Sequence, residues 1–379
     1  MICTVTKLGA RIKIEMDYMG QALSLARLAL GQVSPNPAVG AVVVGGDKVV
    51  GQGYTQPPGS WHAEIAALKQ AGTRASGGVM YVTLEPCCCY GRTPPCTQVI
   101  IEAGISEVHL AMIDPNPLVS GKGKNELEKN GINVYVGECE EIASEINEAY
   151  TKYITTGMPF VTAKFAMSLD GKIATSSGDS KWISNEASRK YLHILRHMTD
   201  AIMVGAKTIL IDDPHLTARS GSGRGGTSRK QPLRVIVDGR CLISPGARIF
   251  SEPGKTLLTI GKIASSEETK AFTEASADLL ELPSSGEQID LERLLRILGE
   301  KQITSVLVEG GGMLLGDLFD RGLVDKVIAF VAPIVIGGVG ARTPVGGKGV
   351  DKVVDSIKLE RVKAERFNDD SMISGYVKK

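Results

Sequence analysis

Four residues of the chain have side chains and a spacing that together could do chemistry. His62 and Glu64 flank a single alanine, and Cys87 and Cys96 stand with eight residues between them. One histidine and two cysteines are good tetrahedral zinc ligands. Three protein ligands leave a fourth position open to water, as a catalytic zinc requires. Zinc brings the pKa of a bound water down to about 7. Glu64, not needed as a ligand, is then available to shuttle protons as general acid and base. A hydrolytic deaminase needs both functions: a nucleophile for an amidine-like ring carbon, and a proton for the departing ammonia. The competing reading is a closed structural zinc site, with Cys88 or Cys89 as a fourth ligand.

Spacing constrains how these side chains converge. Positions i and i+2 lie about 200° apart on a regular helix. His62 and Glu64 can therefore meet only if His62 sits at a helix entrance, after the Gly59-Ser60 turn and Trp61. Cys87 follows Pro86, and Cys96 follows Pro94-Pro95. Both are expected at helix starts, where the dipole favours a thiolate. Cys3, Cys139 and Cys241 read as small hydrophobes. His109, His193, His197 and His215 read as structural or peripheral.

The second half of the chain offers no catalytic dyad and no metal cluster. It offers Leu307-Val308-Glu309-Gly310-Gly311-Gly312, an apolar strand running through glycines into a helix. Such a turn lets backbone N–H groups approach a phosphate. A plain tight turn is the bland alternative. The pattern is not the G-x-G-x-x-G that follows a first strand in dinucleotide-binding folds.

The elements that must position these residues alternate along the chain. In the first half, periodicity predicts helices over 20–31, 62–71 and 97–103 and strands over 39–44, 49–54, 79–84, 108–112 and 134–136. A polar helix over 140–156, stopping at Gly157, is the expected connector. Beyond it, strands are expected over 160–166, 201–205, 233–237, 256–260, 304–308 and 325–332, with helices over 186–198, 290–299 and 313–321. Strand–helix alternation indicates layered α/β architecture in both halves. The expected domains are 16–157 and 158–379. The Gly/Ser-rich run 220–230 reads as a surface loop.

Bulk properties agree with two soluble domains. The chain has 379 residues, 43% hydrophobic and 22% charged. Its net charge is +1, from 43 basic and 42 acidic residues. That balance argues against holding nucleic acid by phosphate neutralisation, and so against a polynucleotide deaminase acting on a flipped base. A zinc-stabilised binding module without activity is the non-enzymatic alternative. Seven cysteines, four of them within 87–96, are no disulfide framework and point to a reducing cytoplasm. No apolar run suits a membrane span, and residues 1–15 lack a secretory signal's apolar core.

Further motifs carry a family resemblance. Tyr81-Val82-Thr83-Leu84-Glu85-Pro86-Cys87 and Gly91-Arg92-Thr93-Pro94-Pro95-Cys96 resemble the bifunctional riboflavin-biosynthesis deaminase–reductases. So do Pro35-Asn36-Pro37-Ala38-Val39-Gly40 and Asp114-Pro115-Asn116-Pro117. The second half adds Ser168-Leu169-Asp170-Gly171-Lys172, Ser180-Lys181-Trp182-Ile183 and Asp212-Asp213-Pro214-His215-Leu216-Thr217. Cys88, Cys89 and Thr55 depart from the family pattern.

The resemblance implies a cytidine-deaminase-like domain followed by a dihydrofolate-reductase-like domain. It implies zinc on His62, Cys87 and Cys96, proton transfer by Glu64 and base recognition by Asn36. It further implies NADPH contacts at Ala166, Trp182, Thr208 and Asp212, and at Gly311, Gly312, Met313, Leu314, Leu315, Gly316 and Asp317. Substrate contacts are implied at Ser180, Arg196, Leu216, Arg219 and Glu309, with Arg196 and Arg219 suited to grip a phosphate. The implied substrate is a small phosphorylated pyrimidine. A homo-oligomer, with no nucleic-acid or membrane partner, is expected.

Overall fold

A computed structural model describes residues 18–90, 94–219, 230–261, 266–285 and 288–378. Cys3, Met16, Gly91-Arg92-Thr93 and all of the 220–230 run but Lys230 lie outside these residues. The chain divides into two units. The first takes residues up to Ala29 and then Ala38–Ile146; the second takes Leu30–Pro37 and Asn147–Lys379.

The first unit contains α1 (Tyr18–Ala29), β1 (Gly40–Gly45), β2 (Lys48–Tyr54), α2 (Ala63–Ala71), β3 (Val79–Val82), α3 (Cys96–Glu102), β4 (Glu107–Leu110), α4 (Lys122–Lys129), β5 (Asn133–Val136) and α5 (Glu140–Ile146). Its sheet runs β2-β1-β3-β4-β5. β1 is antiparallel to both neighbours, while β3, β4 and β5 are parallel. The apolar run of β1 is buried along Ala41–Val44, as a central strand covered on both faces must be. α1 buries Met19, Ala22, Leu23 and Ala26, one stripe at helical spacing. α4 was not anticipated. Its sequence is polar and buries only Gly123 and Leu127, so it has no apolar stripe to read.

The expected helix over 140–156 is two helices. It breaks at Asn147, and α6 (Glu148–Thr156) belongs to the second unit. Part-buried ion pairs hold it there: Lys152 with Asp325, and Glu148 with Lys326. The division between units therefore falls before Gly157, which serves as the helix stop with φ 72°.

The second unit continues with β6 (Phe160–Ser168), α7 (Glu186–Met198), β7 (Ala201–Gly205), α8 (Ala206–Asp212), β8 (Leu233–Asp238), β9 (Thr256–Ile260), α9 (Ser266–Glu274), β10 (Ala277–Glu281), β11 (Ser284–Ser285), β12 (Gln288–Ile289), α10 (Leu291–Glu300), β13 (Ser305–Val308), α11 (Gly312–Asp320), β14 (Lys326–Ala332), β15 (Leu359–Phe367) and β16 (Asp370–Val377). The large sheet runs β10-β9-β8-β7-β13-β6-β14-β16-β15. It is parallel from β10 to β14, and β16 is antiparallel to both of its neighbours, β14 and β15. From β6 the chain moves outward to β10, then returns to fill the gap between β7 and β6 with β13. Strand order reverses there, and the carboxyl ends of such strands are where parallel α/β sheets bind ligands. Leu294, Leu295 and Leu298 of α10 pack against Val161, Val306 and Val308 beneath that point. The β15–β16 hairpin was not anticipated, because β15 is largely exposed and carries charges along its length. No helix among the described residues is long and apolar enough to cross a membrane.

Candidate active sites

His62 is the N-cap residue of α2, with an extended backbone at φ −72° and ψ 162°. That break from helical geometry lets it face the same way as Glu64, in the first turn. Cys96 opens α3, as expected, but Cys87 does not begin a helix. It lies in the loop after β3 and caps α3 from outside: its carbonyl accepts Thr97 N–H and its Sγ accepts Cys96 N–H at 3.5 Å. Pro86 marks a boundary, but the next helix starts ten residues later, at Cys96. Both thiols thus share the N-terminus of one helix, where partial positive charge favours a thiolate.

His62 Nδ1 lies 3.6 Å from Cys87 Sγ and 3.3 Å from Cys96 Sγ. All three donor atoms fall within 4.8 Å of one another. Zinc at about 2.0 Å from nitrogen and 2.3 Å from sulfur, with tetrahedral angles, separates those donors by about 3.5 Å. The residues therefore fit that ion. The number of protein ligands is three among the described residues, and Cys88 and Cys89 turn to each other instead.

The electrostatics suit the same purpose. A hydrogen bond from Cys96 holds the Cys87 thiol down to about 4, and Cys96 correspondingly keeps its proton. The Cys87 partner raises His62. Glu64 is buried, and desolvation, with the Cys87 charge beside it, raises its carboxyl to about 7. A carboxyl poised there can both take and give a proton near neutrality.

Glu85 was quoted only as part of a motif, yet it organises the surroundings. Its buried carboxylate accepts backbone N–H groups from Asp114, Gly121 and Lys124 at 2.9–3.1 Å. It thereby fixes the Asp114–Pro117 loop and caps polar α4. Thr55 faces inward, its hydroxyl bonded to Val39 N–H at 3.1 Å. Asn36 lies in the 30–37 segment, which groups with the second unit. His109 stacks between Tyr81 and Tyr135 and binds Glu107 through Nε2, away from any ligand role.

In the second unit, the end of β13 meets α7. Arg196, buried on α7, gives Nε and Nη2 to the two oxygens of Glu309, each at 2.6 Å, and Nη1 to Thr217 O. Arg196 and Glu309, each expected to touch substrate, pair with one another, so the guanidinium faces the carboxylate and its whole fork is engaged. Arg219, whose Nε reaches Thr217 Oγ1, is the more open cation. Leu216 is buried in the left-handed region at φ 47°, so only its backbone is offered to a ligand.

Lys164 was missed. It sits in the middle of β6, where desolvation lowers its pKa while the Glu309 charge opposes that fall. A lone lysine inside the apolar strand Phe160–Ala166 was the available signal. Ala166 lies two residues further along the same strand.

Gly311, at φ 91°, is the N-cap of α11, in a conformation that favours glycine. Thr208 Oγ1 lies 3.4 Å from where a Cβ on Gly310 would stand. Not all of the 311–317 stretch is open to a ligand. Leu314 and Leu315 join the core, and Gly346–Gly347 cover Gly316 so closely that a Cβ there would meet them at 2.3 Å. Asp317 is engaged by Arg321. Gly311, Gly312 and exposed Met313 remain accessible. Trp182 is 72% exposed and so is no core filler; Arg189 stacks on its ring. Beside it, Ser180 Oγ donates to Asp212 Oδ1 at 3.2 Å. Asp170 accepts from Ser168 Oγ and from the N–H groups of Ile336 and Gly337, which hold its carboxyl down to about 2. It caps a turn.

Residues 159–373 match the sequence profile of the RibD C-terminal domain. Residues 13–112 match that of the cytidine and deoxycytidylate deaminase zinc-binding region. Riboflavin biosynthesis protein RibD of Aquifex aeolicus (strain VF5) is 41% identical over 361 residues, 95% of this chain and 98% of that protein. The RibD of Escherichia coli (strain K12) is 38% identical over 346 residues, covering 89% and 93%. Among solved structures, Acinetobacter baumannii RibD superposes with a TM-score of 0.85 at 35% identity, covering 96% of this chain and 98% of that one. A diaminohydroxyphosphoribosylaminopyrimidine deaminase/5-amino-6-(5-phosphoribosylamino)uracil reductase from Thermotoga maritima gives 0.83 at 34%, covering 95% and 97%.

Proposed function

Because the chain belongs to the bifunctional deaminase–reductase family of riboflavin biosynthesis, we propose that its two units act in sequence on one small molecule. The substrate is a diaminopyrimidinone carrying a ribosylamino 5′-phosphate. The first unit hydrolyses the ring 2-amino group and releases ammonia. The second reduces the ribosyl chain to ribityl with NADPH.

The observation that carries the first step is the convergence of His62, Cys87 and Cys96 beside a buried Glu64. Zinc on those three residues supplies an activated water when bound. Glu64 takes a proton from the attacking water and delivers it to the departing nitrogen. Its raised pKa makes both transfers cheap near neutral pH. Glu85 keeps the neighbouring loops in place through its three backbone hydrogen bonds. Asn36 is assigned to base recognition through the family alone.

For the second step, NADPH supplies the hydride, and the protein positions it. Gly311, Gly312 and the first N–H groups of α11 suit its phosphates. Trp182, Ala166, Thr208 and Asp212 are assigned to the remainder of the cofactor. Glu309, held by Arg196, and Lys164 face the reacting sugar and handle its hydroxyl protons. Arg219 takes the substrate phosphate, with Ser180 and the Leu216 backbone beside it. The enzyme is assigned to the cytoplasm, in keeping with six free thiols among the described residues, and to a homo-oligomer.

Product mass from the diamino substrate tests the scheme. Without NADPH, ammonia is released and the product is the deaminated ribosyl compound. With NADPH, two hydrogens are gained. Ammonia release without any NADPH oxidation would leave the second unit without its assigned activity.

A further inference from the structure

Neither step uses the thiols of Cys88 and Cys89, which follow the zinc ligand Cys87 directly. Their Sγ atoms stand 3.9 Å apart. Side chains of adjacent residues in extended backbone point to opposite faces, so this approach is a product of the loop's bend. Two thiolates at about 2.3 Å from one tetrahedral ion are separated by about 3.8 Å. The loop is pinned at both ends: the Cys87 carbonyl accepts Thr97 N–H, and the Tyr90 hydroxyl donates to Gln98 Oε1 at 3.0 Å.

Oxygen donors stand close to the pair. Cys89 Sγ lies 3.7 Å from Leu118 O, in the loop that Glu85 fixes. That carbonyl accepts both the Cys89 thiol and, at 3.0 Å, Lys122 Nζ. Glu126 of α4 ties that helix to α3 beside the pair, accepting the Thr97 hydroxyl at 2.8 Å. Cys88 is half-buried and Cys89 is exposed, so the pair is open to exchange with solvent.

We propose that Cys88 and Cys89 form a second metal site, distinct from the His62, Cys87 and Cys96 cluster, for a thiophilic divalent ion of the zinc–cadmium class. Two thiolates select such ions over magnesium or calcium, which take oxygen ligands. With two protein thiolates rather than three side-chain ligands, the site is the weaker of the two.

The test is a Cd2+ titration of the full chain, stripped by chelation under a phosphine reductant. Bound metal and thiolate-to-cadmium charge-transfer absorption are both read. The unmodified chain takes up about two ions, and Cys88→Ser/Cys89→Ser about one. Retention of the first ion by the double variant shows that its first site is intact. Should that variant fail to fold, Cys89→Ser alone, at an exposed position, weakens the second ion by about tenfold or more. An unmodified chain that stops at one ion overturns the proposal, as does a cysteine variant that still takes two with unchanged affinity. The readout is metal uptake, so it is independent of whether either catalytic assignment holds.

Discussion

The first site gathers its chemistry from side chains between residues 62 and 96, on the ends of α2 and α3 and the loop between them. The second gathers its parts from β6, α7, the segment after α8, and the turn from β13 into α11. In the first, function resides in donor atoms, and the backbone only aims them. In the second, the accessible helix start is backbone, and the side chains are held by one another: Arg196 fixes Glu309, and Lys164 stands in the field of both. A site made of ligands can be lost by changing one atom type. A site made of pairings can be lost by disturbing the strands that deliver the partners.

The largest expected effect tests that contrast directly. Glu64→Gln is expected to lower ammonia release by about 10²–10⁴-fold with zinc content unchanged. NADPH oxidation with pre-deaminated substrate should stay at the unmodified rate. Loss of both activities would show that the sites are not separate.

Next comes Arg196→Met, which strands a buried carboxylate. Breaking a buried pair in this way costs about 3–5 kcal/mol. Chemical denaturation should show the loss, and reductase activity should vanish while ammonia release persists in the folded fraction. If stability is unchanged, the pair is not the anchor described.

Lys164→Met should have the opposite signature. Reductase activity falls by about 10²-fold or more, yet stability holds or rises, because a desolvated ammonium has been removed. The pH dependence follows from the lowered folded pKa. Just below the ordinary lysine value, the unfolded chain binds the proton that the folded chain does not. Unmodified protein therefore gains stability as pH rises through that window. The variant should lack this gain in denaturation midpoints.

The smallest effect is that of Gly316→Ala. A Cβ would stand 2.3 Å from the Gly346–Gly347 backbone, so that segment must shift, at about 1–3 kcal/mol. Weaker NADPH binding in a direct titration, with ammonia release untouched, is the expected outcome. Unaltered binding would detach that segment from the cofactor site.

These differences explain what the amino-acid string revealed. The zinc cluster was legible because His, Glu and Cys are scarce and their roles follow from atom type. The requirement that His62 stand at a helix entrance came from helical geometry alone, and it is met. Cys87 was misplaced because a proline marks an element boundary without saying on which side the next residue lies. In the second unit, β6, β7, β8, β9, β13, β14 and α7 were readable from their patterns, but the Arg196–Glu309 pairing spans 113 positions. No local pattern encodes it. Lys164 was overlooked because apolar periodicity carries a reader past one charged residue. α4 stayed hidden because its support is the Glu85 carboxylate, not an apolar face.

Residues 30–37 give the chain an unusual order of assembly. They leave α1, join the second unit, and return to begin β1. There Gly31 abuts the His197 carbonyl so closely that a Cβ would meet it at 2.0 Å, and Ser34 Oγ lies 3.4 Å from Thr304 Oγ1. During synthesis from the N-terminus, domains generally complete themselves in order. This segment cannot, since its packing surface emerges only once residue 304 has been made. Cutting the gene after codon 146 would therefore not yield a first head divided cleanly at the unit boundary. It would yield one with an orphaned loop, and a second head with a bare patch where that loop belongs.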